Sequence, residues 1–110
     1  MLTYTFIVNY FMKLSKKQIK FLRAKSHDLK SVIMLGKKGL TDEVMSELDI
    51  ALTHHELIKI KLPIEDREQR TQVANEICKR SESEEVQLIG KTLVVYRVNP
   101  DKAVIALPKA

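Results

Sequence analysis

Apolar residues recur along the chain with helical and strand periods, and these periods predict three helices and four strands. The first helix is predicted from about Lys16 to Ser26, because Ser15 and Gln18 form a capping-box pair just before apolar residues at helical spacing. Its apolar stripe is narrow, so most of its surface is expected to face water or a ligand. The next apolar run, Val32-Ile33-Met34-Leu35, is continuous and predicts a strand buried on both faces.

A capping residue predicts the second helix, and a change in the period of the apolar residues predicts the second strand. Thr41 can cap a helix that ends near His54 and His55. Its predicted buried residues are Val44, Leu48, Ala51 and Leu52. Apolar and lysine residues then alternate from Ile58 to Leu62, which predicts a strand with one face in the core.

The last third of the chain predicts one more helix and a hairpin. Asp66 can cap a helix that runs to about Arg80 and turns Val73, Ala74 and Ile77 inward. Two strands, 86–89 and 93–96, are separated by Gly90-Lys91, which predicts a tight hairpin. The tail around Val104, Ile105 and Leu107 is expected to add a short extended segment.

The order of elements is therefore α-β-α-β-α-β-β, and the predicted fold class is α/β (α+β). Strand-helix-strand crossovers are nearly always right-handed and give parallel neighbours, whereas the hairpin is antiparallel. The sequence thus predicts a mixed four-stranded sheet packed with helices.

Length and composition indicate one domain. The chain has 110 residues, 45% of them hydrophobic, and residues 12–110 suit a single compact unit. Residues 1–11 form an apolar extension, interpreted as an upstream start or a loose tail, with an added strand or a weak membrane-surface contact as alternatives. The extension is too short to span a bilayer and lacks the basic start of a signal peptide, so neither export nor membrane insertion is expected.

Cysteine usage favours the cytoplasm. Cys78 is the single cysteine, so no internal disulfide can form, and nothing near it has the spacing of a zinc site. We therefore expect a cytoplasmic protein with no metal and no cofactor.

Positive charge is concentrated in one segment. The net charge is +5, yet the segment from Lys13 to Lys38 holds nine basic residues against Asp28 alone, or +8. The remainder holds ten basic and thirteen acidic residues, or −3. This asymmetry indicates a directed anionic partner, although a solvated lysine-rich helix would also produce it.

The Gly36-Lys37-Lys38-Gly39 tetrapeptide is the best candidate for an anion-binding element. It lies between a predicted strand and a predicted helix, where unpaired helix amides and glycine-rich backbone favour phosphate. In KH domains a GXXG loop serves the same purpose and clamps the backbone of the bound nucleotides. The spacing excludes a Walker loop, because no Lys-Ser or Lys-Thr follows the second glycine.

Structured RNA is the partner that these features favour. Outside the extension, only Phe21 and Tyr96 are aromatic, so base stacking is expected to be minor and phosphate and ribose contacts to dominate. The candidate RNA-binding residues are Gly36, Lys37, Lys38, Gly39, Thr41, Lys17, Lys20, Arg23, Lys30 and Arg97.

Two other classes of function compete with RNA binding. His54-His55-Glu56 is the best candidate for a catalytic site, but adjacent helical histidines diverge by about 100° and the pattern is not HExxH. We therefore expect no enzymatic activity, no small-molecule substrate and no catalytic residue. A basic module that binds DNA or an acidic protein remains an alternative, although no helix-turn-helix pattern supports DNA binding.

Three motifs resemble one family. They are Leu35-Gly36-Lys37-Lys38-Gly39-Leu40-Thr41, then the segment from Ala51 to Lys61 (ALTHHELIKIK), then the segment from Ile89 to Arg97 (IGKTLVVYR). In order and spacing they closely resemble the YhbY-type CRM domain (chloroplast RNA splicing and ribosome maturation). The resemblance runs from about Met12 to Leu107.

This resemblance implies a fold similar to the C-terminal domain of bacterial translation initiation factor three, with the GxxG loop on the RNA-binding surface. It further implies a protein that acts in ribosome biogenesis and binds precursor ribosomal RNA of the large subunit or a pre-ribosomal particle through the loop and the adjacent basic helix. We expect the protein to be a monomer. Group II intron splicing, the role of plant members, and a general RNA-chaperone role are the alternatives.

Overall fold

A computed structural model of the chain describes residues 13–110, and the apolar extension of residues 1–11 lies outside the described part. Its elements are α1 (Lys16–Ser26), β1 (Ser31–Met34), α2 (Asp42–His55), β2 (Leu57–Lys61), α3 (Arg67–Ser81), β3 (Glu84–Ile89) and β4 (Thr92–Tyr96). The predicted order and fold class are confirmed.

Side-chain caps begin all three helices at the predicted positions. At α1, the Ser15 amide donates to Gln18 Oε1 over 3.0 Å, and the Gln18 amide donates to Ser15 Oγ over 3.1 Å. Thr41 and Asp66 each accept one amide hydrogen bond, over 3.2 Å in both cases, from the third residue beyond them. These bonds satisfy amides that have no partner inside their helix, which is why the boundaries could be predicted.

The four strands form one sheet in the order β1-β2-β4-β3. Strands β1 and β2 are parallel and joined by the α2 crossover, whereas β4 is antiparallel to both β2 and β3. Gly90 begins the hairpin turn with a φ of +55°, and Lys91 keeps a negative φ. A positive φ at the first central position alone is the pattern of a type II′ turn, which glycine favours.

The sheet divides the core into two clusters. One lies beneath α2 and α3, and its buried residues are Ile33, Leu35, Leu48, Leu52, Ile58, Ile60, Leu62, Ala74, Ile77, Leu93 and Val95. The other lies beneath α1, and its buried residues are Leu22, Leu57, Val86, Val94 and Tyr96. Helix α1 is therefore the one helix of the described chain on its face of the sheet.

The prediction that strand β1 is buried on both faces is wrong. Instead of being buried on both faces, it alternates, with Ile33 buried while Val32 and Met34 are 51% and 63% exposed. The reason is its place at the edge of the sheet, because α1 packs against β2 and β3 and leaves β1 uncovered on that face. Both edge strands also carry a register irregularity, between Ser31 and Ile33 in β1 and between Glu85 and Gln87 in β3.

The C-terminal segment is held by Glu56, the residue between α2 and β2. Its buried carboxylate accepts hydrogen bonds from the amides of Asn99, Val104 and Ile105, over 2.6, 2.9 and 2.7 Å. Ile105 and Leu107 then pack against the cluster beneath α1. The expected extended segment is thus an irregular one, tied to the sheet by a side chain rather than by strand pairing.

Candidate nucleic-acid interface

The Gly36-Lys37-Lys38-Gly39 loop is a tight turn that projects both lysines into solvent. The Gly39 amide donates to the Gly36 carbonyl over 3.0 Å, which closes a four-residue turn with Lys37 and Lys38 at its two central positions. Both lysines are exposed and keep a negative φ, as in a type I turn. Among the described residues, neither lysine takes part in an ion pair.

The two glycines of the loop have different roles. Gly39 has a φ of +74°, a conformation that other residues rarely adopt, whereas Gly36 has no such requirement. A Cβ atom added at either position would meet no atom within 4 Å. The backbone is therefore open to an approaching group at both glycines, but only Gly39 is needed for the conformation.

The N-terminus of α2 is less available to an anion than its position after the loop suggested. The Thr41 hydroxyl already accepts the Val44 amide, and Asp42 and Glu43 place negative charge in the first turn. Carboxylates at that position already interact favourably with the helix dipole and repel a second anion. An anion at this end of the sheet would thus meet nearby cations such as Lys37 and Lys38 rather than free helix amides, and Thr41 acts as a cap.

The basic residues of α1 lie on the face of the sheet that α1 covers, towards the end opposite the Gly36–Gly39 loop. Lys17 and Lys20 are exposed, and Arg23 is exposed while its Nε donates to the Val86 carbonyl over 3.1 Å. Leu22 packs α1 over the end where β2 begins, and β2 spans roughly 13 Å before it reaches the end beside the loop. The loop and the α1 cations are therefore neighbours along one face rather than parts of one cluster.

Lys30 and Arg97 lie apart from the loop. Lys30 is exposed just before β1, at the end where α1 stops. Arg97 follows β4 on the opposite face of the sheet, where it donates to Asp49 Oδ1 over 2.9 Å, to Thr53 Oγ1 over 3.0 Å and to the Ser81 carbonyl over 2.9 Å. Arg97 thus joins β4 to α2 and α3, and the structure does not bring it to the loop.

Three cations that sequence reasoning did not select lie at the loop end of the sheet. Arg80 approaches the Leu40 carbonyl at 3.5 Å, although no sequence spacing links α3 to the loop. Lys61 ends β2, where its carbonyl accepts the Leu35 amide over 2.9 Å. Its place on the solvent side of an alternating strand was the sequence feature that could have identified it as an exposed cation. Lys91 in the hairpin pairs with Glu65, and this hydrogen bond and charge lower the pKa of the Glu65 carboxyl.

The histidine-rich candidate has a structural explanation. His54 and His55 are exposed at the end of α2, and Glu56 holds the C-terminal segment through backbone amides. Over residues 13–110, no group of three or more His, Cys, Asp or Glu side chains is placed to hold a metal ion.

Burial raises the pKa of the Cys78 thiol to about 11, opposite to the shift that activates a nucleophile. No helix in this part of the chain has the length and apolar character to cross a membrane.

Comparisons with known proteins identify the family of the chain. The sequence model of the CRS1 / YhbY (CRM) domain matches residues 14–97. A Haemophilus influenzae protein named RNA-binding protein is 45% identical over 96 residues, which cover 87% of this chain and 96% of the relative. A Bacillus subtilis protein named probable RNA-binding protein YqeI is 37% identical over 95 residues, which cover 86% and 99%.

A solved structure shows the same fold. The solution structure of a Staphylococcus aureus protein, described as a candidate RNA-binding protein, superposes with a TM-score of 0.76 at 29% sequence identity. The match covers 87% of this chain and all of that protein.

Proposed function

Because the chain belongs to the CRS1 / YhbY (CRM) family, we propose that it is an RNA-binding protein of ribosome biogenesis that holds precursor RNA of the large ribosomal subunit. The observation that carries the proposal is the Gly36–Gly39 turn, whose two central lysines are exposed and unpaired within the described part of the chain. The similarity to proteins named for RNA binding supports RNA as the anion.

The loop acts on the RNA backbone. Each lysine at the turn can neutralise one phosphate, and the open space at both glycines lets the sugar-phosphate chain approach the protein backbone. The exposed Lys17 and Lys20 of α1 extend the positive surface along the same face of the sheet. Arg97 is not part of this interface, because its guanidinium holds α2 and α3 on the other face.

The protein binds without turnover. It acts as a monomer in the cytoplasm, where it grips the backbone of immature ribosomal RNA and holds or shields a local structure during assembly. No cofactor and no catalytic residue enters this mechanism.

The first test is the salt dependence of RNA binding. Changing Lys37 and Lys38 to Ala is expected to weaken binding to all structured RNAs and to reduce the slope of log K against log salt by about one to two. The matched control changes Lys79 and Lys102, which are also exposed, to Ala and removes the same charge. Equal slopes for both double variants would remove the loop from the interface. Duplex DNA at the same salt is the competitor, and a preference for DNA would contradict the proposal.

The second test identifies the RNA. Cell extract is fractionated on a sucrose gradient, and RNA crosslinked to the protein is sequenced for the native chain and the loop variant. Enrichment of large-subunit precursor RNA, lost in the loop variant, is expected. Crosslinks spread over introns or messenger RNA would keep RNA binding but contradict the role in ribosome assembly.

A further inference from the structure

A row of four side chains crosses the whole sheet beside the loop. Met34 of β1 pairs with Lys61 of β2, Lys61 pairs with Thr92 of β4, and Thr92 pairs with Ile89 of β3. Residues in register on neighbouring strands point to the same face of a sheet. These four residues, which we call the open row, therefore form one continuous strip on the face that carries α1.

No described element covers the open row. Met34 and Ile89 are each 63% exposed, while Leu57 and Tyr96 at the opposite end of the same face are buried beneath α1. Val32 adds a third exposed apolar side chain on β1, an element that α1 leaves uncovered. The strip thus presents aliphatic side chains at both edges of the sheet, with Lys61 and Thr92 between them. A continuous exposed strip of this kind is typical of a binding surface, whereas single exposed aliphatic side chains are ordinary.

The charge of this face is positive. Lys61 stands in the open row, and Lys59 occupies the next position of β2 on the same face. Neither lysine forms an ion pair with any residue from 13 to 110. The neighbours of Lys59 and Lys61 across the sheet are Val94 and Thr92, so no acidic side chain offsets them in the paired positions. An anionic occupant is thus favoured over an apolar or cationic one.

The open row continues into the loop. Met34 lies two residues before Gly36, a distance of roughly 7 Å along an extended chain. The Leu35 amide between them donates to the Lys61 carbonyl over 2.9 Å, so the end of the row and the start of the loop are fixed to each other. A polymer whose backbone lies on Lys37 and Lys38 reaches the row without leaving the protein surface.

On the basis of the proposed RNA-binding function, we propose that the open row docks unpaired nucleotides adjacent to those whose phosphates lie on the Gly36–Gly39 loop. Met34 and Ile89 contact base faces, and the Thr92 hydroxyl and the Lys61 ammonium reach base edges or phosphate. Bases in an A-form helix are stacked and their deep groove excludes side chains, so only a single-stranded segment can place base faces on a flat sheet. The surface therefore selects RNA with a junction between paired and unpaired segments.

The test compares two RNAs on the full chain. One is a hairpin with a single-stranded extension of about ten nucleotides, and the other is the same hairpin with a blunt end. Replacing Met34 and Ile89 with Ala is expected to weaken binding of the extended RNA by about tenfold and of the blunt hairpin by less than about twofold. The control replaces Ile50, which is 59% exposed on α2, with Ala, and both affinities should stay within about twofold.

The outcomes separate this inference from the function on which it rests. Loss of affinity for the extended RNA in the loop variant but not in the Met34→Ala/Ile89→Ala variant would overturn the open row and keep the loop. If the Met34→Ala/Ile89→Ala variant loses affinity for the extended RNA and the loop variant does not, the open row contacts RNA and the proposed role of the loop is contradicted.

Thermal unfolding of the row variant completes the test. The midpoint should fall only slightly, because both side chains are exposed and the loss is limited to the lower strand propensity of alanine, about 1 kcal/mol or less at each position. A much larger fall would mean that another part of the protein packs on the open row, and would overturn the inference.

Discussion

Glu56 offers the sharpest test of how this fold is held together. The residue is fully buried, and its two carboxylate oxygens accept three backbone amides of the C-terminal segment. Changing Glu56 to Gln keeps the shape of the side chain but replaces one acceptor oxygen with a donor. The amide oxygen of Gln would stay with Val104 and Ile105, because that oxygen accepts two hydrogen bonds, and the Asn99 amide would lose its acceptor.

The magnitude follows from the hydrogen bonds. A bond to a charged acceptor contributes about 1.5–3 kcal/mol, and a bond to a neutral one about 1 kcal/mol. Glu56→Gln loses one bond and weakens two, so the free energy of unfolding should fall by at least about 2.5 kcal/mol. Glu56→Ala removes all three, yet the cost should not exceed about 3–4 kcal/mol, because the segment can separate from the sheet and expose its amides to water.

Backbone strain at Glu56 supplies a second comparison. Its φ of +63° and ψ of −42° lie outside the favoured regions for a non-glycine residue. Such a conformation costs about 1–3 kcal/mol, which glycine avoids while losing more chain entropy on folding. Glu56→Gly should therefore be about 1 kcal/mol more stable than Glu56→Ala, although both lack the carboxylate.

Urea unfolding followed by circular dichroism measures these differences, with exposed Glu47→Gln on α2 as the control expected within about 0.5 kcal/mol of the native chain. Amide exchange of Val104 and Ile105 by NMR reports the local contact. The reasoning fails if Glu56→Gln unfolds at the native midpoint. It also fails if these two amides exchange as fast in the native protein as in Glu56→Ala.

The remaining predictions concern the loop, Arg97 and alkaline pH. Gly39→Ala should lower stability by about 1–2 kcal/mol because φ is +74°, whereas Gly36→Ala should be close to neutral, and equal unfolding midpoints would contradict this difference. Arg97→Ala should cost about 2–3 kcal/mol in urea unfolding but leave RNA affinity within about twofold, and a large loss of affinity without loss of stability would restore Arg97 to the interface. Burial raises the pKa of Cys78 from 9.0 to about 11, and burial with the nearby carboxylate of Glu56 raises that of Tyr96 from 10.0 to about 12. Since the unfolded chain loses these protons first, stability should fall as pH rises from about 9 to 12, and the fall should be shallower in Cys78→Ala; an identical pH profile would contradict the assignment.

Local signals explain what the sequence could predict. The caps at Ser15, Thr41 and Asp66 and the turn at Gly90 act through hydrogen bonds and backbone angles within a few residues. The alternation around Lys59 likewise reports a half-buried strand directly. These features depend little on which element packs where, and the structure confirms them.

The differences arose where packing between distant elements decides. The apolar run of β1 looks the same whether a helix covers one face or both, and its exposure follows from the path of α1 across β2 and β3. Arg97 looked like an RNA contact because its partners, Asp49 and Ser81, are 48 and 16 residues away in sequence. The role of Glu56 was hidden for the same reason, since its hydrogen-bond donors are more than 40 residues further along the chain.

Both edge strands of the sheet are interrupted, β1 between Ser31 and Ile33 and β3 between Glu85 and Gln87. An uninterrupted edge offers a row of backbone donors and acceptors on which the strand of another molecule can add, whereas an irregular register breaks that row after two or three residues. A second copy therefore finds no long template at either β1 or β3. Apolar side chains as exposed as Met34 and Ile89 can then be displayed on edge strands without making the sheet a seed for fibrils.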